Sequence, residues 1–186
     1  MEKMKENLRQ FLENEQNLNI QEQIRISQEI TQGVAFLHQL NPPVVHSDLN
    51  DKNVMFTFDG VVKIGDFGQS KLMKDDYLTI TAPGMLSFMP PECQQKDGNK
   101  YDESLDVFSL GVLMLEIGTQ CLPTSNVSGI GVIPEVDRRG KDLQKMSDLH
   151  PLKPFVLLCL SDDRKKRPKS SELQMVLLRL KEVATK

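Results

Sequence analysis

The sequence predicts a mainly helical α+β domain with one small β element, and three observations carry that prediction. Apolar residues recur at helical spacing through residues 20–40. A second stretch, SLDVFSLGVLMLEIG at 104–118, is apolar nearly all round, as in a helix buried inside a protein. Between them lies a run of short β-prone segments. The chain has 186 residues, 39% apolar and 26% charged, with 10 Pro and 11 Gly scattered along it and no internal repeat. Such a chain can bury one sizeable core, so a single domain over 1–186 is expected.

Taken in order, residues 5–13 place Leu8, Phe11 and Leu12 at helical spacing, a short amphipathic helix. From Ile20 to about Leu40, the positions Ile20, Ile24, Ile30, Val34 and Leu37 fit one face of a longer helix that stops before Pro42 and Pro43. VVH, NVMFTF and VVKIGDF follow as strand-like pieces, with the Asp-Gly pair at 59–60 signalling a hairpin between the last two. Helices are further expected near 135–146, at 151–160 and at 171–183. The last has Ser170 as N-cap, Glu172 in its first turn, and Leu173, Val176, Leu177 and Leu180 on one face.

Charge and composition exclude several classes. The formal net charge of −3 comes from interspersed acids and bases, which argues against a nucleic-acid surface. The basic stretch RKKRPK at 164–169 reads as a solvated or structural segment. Cys93, Cys121 and Cys159 are far apart and unlike metal-ligand spacing, which suggests buried thiols in a reducing compartment. The start has no apolar core of a secretory signal, and no stretch approaches the ~20 apolar residues of a membrane span, so a soluble cytoplasmic protein with no membrane span is expected.

The chemistry gathers in the β element. VVHSDLNDKNVMF sets Asp48 and Asn53 five residues apart between strand-like segments, and KIGDFG places Asp66 at the end of the next strand, before Phe67 and Gly68. Strand ends beside turns can project polar groups into a cleft. A carboxylate and an amide oxygen are hard ligands suited to Mg²⁺, which is commonly shared with phosphate oxygens. A second carboxylate is then left to take a proton from an attacking hydroxyl. Each residue alone also fits a side-chain cap of a turn; the combination is what points to phosphoryl transfer.

With those residues in view, the chain resembles the C-terminal, larger lobe of a protein kinase of the tyrosine-kinase-like kind. HSDLNDKN is similar to the catalytic loop H-R-D-L-x-x-x-N, and DFG to the metal-binding triplet. PPE at 90–92 is similar to the A-P-E closing the activation segment, LDVFSLG to the buried helix after it, and Arg167-Pro168 to the arginine near the domain's end. The resemblance implies a catalytic loop at 46–53, an activation segment at 66–92, a buried helix at 104–118 and a terminal helix at 171–183. It further implies that Asp48 is the catalytic base, that Asn53 and Asp66 are Mg²⁺ ligands, and that Met4 and Met55 border the adenine of ATP. Lys52 would neutralise the transferred phosphoryl group, or else lie solvated on the surface. His46 and Phe67 would stack, Gly68 would complete the triplet, Asp106 would hold the catalytic-loop backbone, and Glu92 and Arg167 would form an internal ion pair. The cofactors implied are ATP and Mg²⁺, and the partner a protein carrying a Ser, Thr or Tyr hydroxyl.

The sequence also departs from the pattern. It has no G-x-G-x-x-G and no strand lysine ahead of the loop; MEKM resembles the hinge between lobes, so the N-terminal lobe is absent from this stretch. Ser47 stands where an arginine is expected, Asn50 where Ser/Thr kinases carry lysine, and Met85 where they carry a threonine. Low activity of the chain alone is therefore expected, together with an exposed apolar patch. A non-catalytic, pseudokinase-like interaction module and a small-molecule phosphotransferase are the alternative readings.

Overall fold

A computed structural model describes residues 2–15, 17–73, 86–94, 101–121, 127–128, 131–132 and 135–184. Met1 of the hinge-like start, Met85, and the 74–85 part of the expected activation segment lie outside the described residues.

A two-residue strand β1 (Glu6–Asn7) leads directly into α1 (Leu8–Asn14). Asn7 accepts from the Gln10 backbone N–H at 2.9 Å while the Gln10 side chain accepts from the Asn7 N–H at 3.1 Å, so two otherwise unpaired helix-end donors are satisfied reciprocally. Helix α2 (Ile20–His38) is capped in the same spirit by Asn19, which accepts from Glu22 N–H. Its buried face carries Ile24, Ile30, Val34 and Leu37 as the periodicity predicts, but Ile20, in the first turn, is solvent-exposed.

The hairpin forms from β3 (Val54–Phe56) and β4 (Val62–Ile64), with Gly60 at a φ of +81° in the connecting turn, a conformation glycine adopts without Cβ strain. β1 joins as a third strand, antiparallel to β3. Underneath runs α2: Glu29 accepts from Val62 N–H at 3.0 Å and Arg25 donates to the Gly60 carbonyl at 3.1 Å. The first strand-like piece belongs elsewhere. β2 (Val44–Val45) pairs antiparallel with β5 (Lys71–Leu72), two residues beyond a short 3₁₀ turn at Phe67–Gln69.

Helix α3 (Ser104–Thr119) is the central element, with every residue from Leu105 to Ile117 buried, and its apolar circumference is satisfied on all sides. Ile24, Ile30, Leu49, Phe88, Leu152, Val156 and Leu173 share one core with it. A short hairpin, β6 (Val127–Ser128) with β7 (Gly131–Val132), precedes α4 (Glu135–Lys145) and α5 (Lys153–Cys159). α6 (Ser170–Ala184) closes the chain against α2. Ser170 lies inside the first turn, where its hydroxyl meets the ring of His38 at 2.9 Å instead of standing before the helix as its cap. Leu173 and Leu177 are buried, whereas Val176 faces solvent. Of the three cysteines only Cys159 is buried; Cys93 is half-buried and Cys121 exposed, so the expectation of buried thiols holds for one. No helix among the described residues is long and apolar enough to cross a membrane.

Candidate active site

The loop between β2 and β3 carries Asp48 and Asn53, and its shape is set by side chains bonding to its own backbone. Asn53 Nδ2 donates to the Asp48 carbonyl at 2.8 Å and to Asp48 Oδ2 at 3.2 Å. Asn50 Nδ2 donates to the same carbonyl at 2.9 Å and to Asp48 Oδ1 at 3.0 Å, while Asn50 Oδ1 accepts from Lys52 N–H. Two amides thus grip one carboxylate, one on each oxygen. The backbone turn closes with Asn53 N–H to the Asn50 carbonyl at 3.1 Å.

The loop is anchored from beneath by α3. Asp106, fully buried, accepts from His46 N–H at 2.7 Å and from Ser47 N–H at 2.9 Å, and its Oδ2 also lies 3.0 Å from Nε2 of His38. Ser47 sits at a φ of +62°, a left-handed conformation that a non-glycine residue adopts only under local constraint. The two backbone bonds to Asp106 and the Ser47 hydroxyl, which donates to the Gln69 carbonyl at 2.6 Å, supply that constraint.

Asp66 follows a residue bonded to the loop through both its backbone groups. Gly65 N–H donates to the Asn53 carbonyl at 2.8 Å, and the Gly65 carbonyl accepts from His46 Nε2 at 2.9 Å. The segment carrying Asp66 is therefore stitched to the loop through both backbone groups of one residue. Asp66 is exposed, at a φ of +58°, and its Oδ1 accepts from Gly68 N–H at 3.3 Å. It caps the 3₁₀ turn, so the turn-capping geometry and an outward-facing carboxylate occur in the same residue. The rings of His46 and Phe67 lie 5.3 Å apart at 56°, tilted instead of stacked, with Phe67 half-exposed.

The remaining sequence-picked residues fall as follows. Met55 is half-buried on β3, opposite Lys63 and Asn7, with its Cγ 3.6 Å from where a Cβ on Gly65 would lie. Met4 precedes Lys5, whose N–H donates to the Phe56 carbonyl at 2.8 Å, so the two methionines border the same strand. Lys52 is exposed. Far from the loop, Arg167 makes a bidentate pair with Glu92, Nη1 to Oε1 at 2.6 Å and Nη2 to Oε2 at 2.8 Å, and its guanidinium lies 5.0 Å over the Phe108 ring.

Mg²⁺ fits the donor set at the loop. Asn53 commits its NH₂ to Asp48, which leaves the amide oxygen outside that bond, and Asp66 offers an exposed carboxylate one residue past the peptide bonded to Asn53. No three His, Cys, Asp or Glu side chains gather as metal ligands among the described residues. Mg²⁺ held by few protein oxygens is completed by water and phosphate.

Sequence reasoning missed Asn50 as a second hand on Asp48, Ser47 as a tie to residue 69, and Asp51. The buried Asp51 carboxylate receives Arg9 from α1, Nε and Nη2 both at 2.7 Å of Oδ2. An Asn-x-x-Asn flanking an aspartate could have suggested the first; nothing local marks the other two.

A buried helix that anchors a His-x-Asp loop, followed by an Asp-Phe-Gly turn and a Glu–Arg pair, defines a kinase-like domain. The chain belongs to the protein tyrosine and serine/threonine kinase family, which it matches over residues 1–177. It is 29% identical to calcium/calmodulin-regulated receptor-like kinase 2 of Arabidopsis thaliana over 187 residues, covering 95% of this chain and 42% of that protein. It is 30% identical to serine/threonine-protein kinase CTR1 of the same plant, over 87% of this chain and 20% of the relative. Against the human ankyrin repeat and protein kinase domain-containing protein 1 it is 33% identical over 77% of this chain and 20% of the relative. The chain thus spans less than half the length of these curated relatives.

Proposed function

We propose that this chain is the larger, C-terminal lobe of a protein kinase domain, carrying the half of the site that holds the acceptor hydroxyl and the metal-bound phosphates. The reaction is transfer of the ATP γ-phosphoryl group to a protein Ser, Thr or Tyr hydroxyl. The single observation that supports this most is the joining of Asp48 to Asn53 on one loop, with Asp66 tied to the same loop through the Gly65 peptide.

In that reading Asp48 orients the hydroxyl and accepts its proton, and the two amide groups of Asn50 and Asn53 hold the carboxylate in place while it does so. Asn53 Oδ1 and Asp66 hold Mg²⁺, which when bound neutralises charge on the phosphate oxygens. Lys52, exposed beside the loop, has a stem long enough to bring its ammonium to the transferred group. Met4 and Met55 border the adenine. Glu92–Arg167 and Asp106 act on architecture.

The test is titration calorimetry of the chain with ATP in the presence and absence of Mg²⁺. Weak binding that requires Mg²⁺ and disappears in Asn53→Ala and in Asp66→Asn is expected, with Asp48→Ala still binding. In a longer protein carrying this segment, Asp48→Ala should reduce phosphoryl transfer by at least about 10³-fold. Nucleotide binding indifferent to Mg²⁺ and to both ligand substitutions would sink the metal assignment, and absence of any binding would favour a non-catalytic interaction module.

A further inference from the structure

At the loop's inner turn, three carboxylate oxygens are buried with no donor in the surrounding protein: Asp51 Oδ1 and both oxygens of Glu116. Two carboxyl groups with three of their four oxygens lacking a donor would be expelled from a core if both were charged. Glu116 is 1% exposed in the last turn of α3, and Asp51 is fully buried three residues past Asp48. The two side chains face each other within hydrogen-bonding reach. Two carboxylates cannot bond, because neither has a proton to give; a carboxylic acid and a carboxylate can.

We propose that Glu116 is held as a neutral acid that donates its proton to Asp51 Oδ1, and that this bond positions the inner turn of the loop carrying Asp48 and Asn53. Arg9 completes the arrangement on the other side. Its guanidinium takes Asp51 Oδ2, and its backbone N–H donates to the Asp51 carbonyl at 3.3 Å. Asp51 is then gripped from α1 and from α3 at once, and the net charge of the three groups is zero.

The electrostatics agree. Burial first, and then the negative charge of Asp51, push the Glu116 carboxyl up to about 9, with Arg9 pulling the other way. The other titratable groups facing it line a small cavity of about 80 Å³ beside α3: Glu13 from α1 and Cys121 just past the helix. The proton itself is independent of what the loop does; its value for positioning Asp48 and Asn53 rests on the proposed kinase reading.

The test is infrared spectroscopy of the intact chain at neutral pH, with Glu116→Gln as the assignment variant. A protonated-carboxyl C=O band is expected, absent in E116Q. If the native chain shows no such band, or if the band survives in E116Q, the proposal is overturned. Positioning is read separately by amide exchange at Arg9, Lys52 and Asn53. Glu116→Gln keeps an N–H donor towards Asp51 and should leave exchange within about twofold of native, whereas Glu116→Leu, similar in size but without a donor, should speed it by about tenfold or more. Equal exchange in both variants, fast or slow, would remove the positioning role. Should the chain fail to bind Mg²⁺ and ATP while the band behaves as expected, the kinase reading falls and the proton stands.

Discussion

At the scale of single residues, the site is a set of exchanges between side chains and backbone that local pattern only partly announces. Asp48 and Asn53 are legible because their spacing, between two β-prone runs, matches a task that needs one proton acceptor and one hard oxygen ligand. Asp51 is not, since its partner Arg9 lies 42 residues earlier on a separate helix. Glu116 reads as a stray charge in an apolar run, and only burial explains it. Its pH dependence follows directly. Burial raises the folded carboxyl from the ordinary 4.5 to about 9, so between those values the folded chain keeps a proton that the unfolded chain has released. Stability therefore falls as pH rises through that window, and urea midpoints measured from pH 5 to 9 should decline less steeply in E116Q than in the native chain. The cysteines make a second residue-level contrast. Burial pushes the Cys159 thiol up to about 12, whereas Cys121 is exposed. An alkylating reagent at pH 8 should modify Cys121 and leave Cys159 intact until the chain is unfolded; modification of Cys159 in the native chain would contradict the packing.

At the scale of elements, α3 decides the arrangement, and it was legible because a 15-residue apolar stretch has only one way to avoid water. Its contact with α5 is unusually close: a Cβ placed on Gly111 would come 2.7 Å from Cys159 Cβ and 3.0 Å from Leu160. Neither neighbour is the free end of a long side chain. Gly111→Ala should accordingly destabilise the fold by about 1–3 kcal/mol in urea unfolding, although alanine is the better helix former. The Arg167–Glu92 pair makes a stronger prediction. The Arg167 side chain is wholly buried, so Glu92→Ala strands its charge and should cost about 3–5 kcal/mol, while replacing both with apolar residues should cost markedly less. What the sequence could not reveal at this scale were the strand at Glu6–Asn7 and the partner that the strand-like Val44–Val45 finds. Glu6–Asn7 are polar residues made into a strand by the free edge of β3, and Val44–Val45 pair with Lys71–Leu72 because the turn at Phe67–Gln69 brings that segment back. Two-residue strands carry no periodicity of their own, so tertiary pairing alone defines them.

At the scale of the whole molecule, one core built around α3 supports a small sheet and a loop whose polar groups are mostly buried, with Lys52 exposed. Phe58, Val61, Phe67 and Leu72 stand exposed on the hairpin and the segment after it. The chain should enhance the fluorescence of a hydrophobic dye, and Phe58→Ser combined with Val61→Ser should reduce that signal without lowering the unfolding free energy by more than about 0.5 kcal/mol. An unchanged signal would show that the dye reports another surface. The Asp106 carboxylate also has a bearing on the order in which the chain can be made. It gathers the loop at 46–47, the end of α2 through His38 and, through that ring, the start of α6 at Ser170. A ribosome building the chain from its first residue releases the loop early, but the last of these ties arrives only when Ser170 has cleared the exit tunnel. Until then His38 lacks the Ser170 hydroxyl at its second nitrogen.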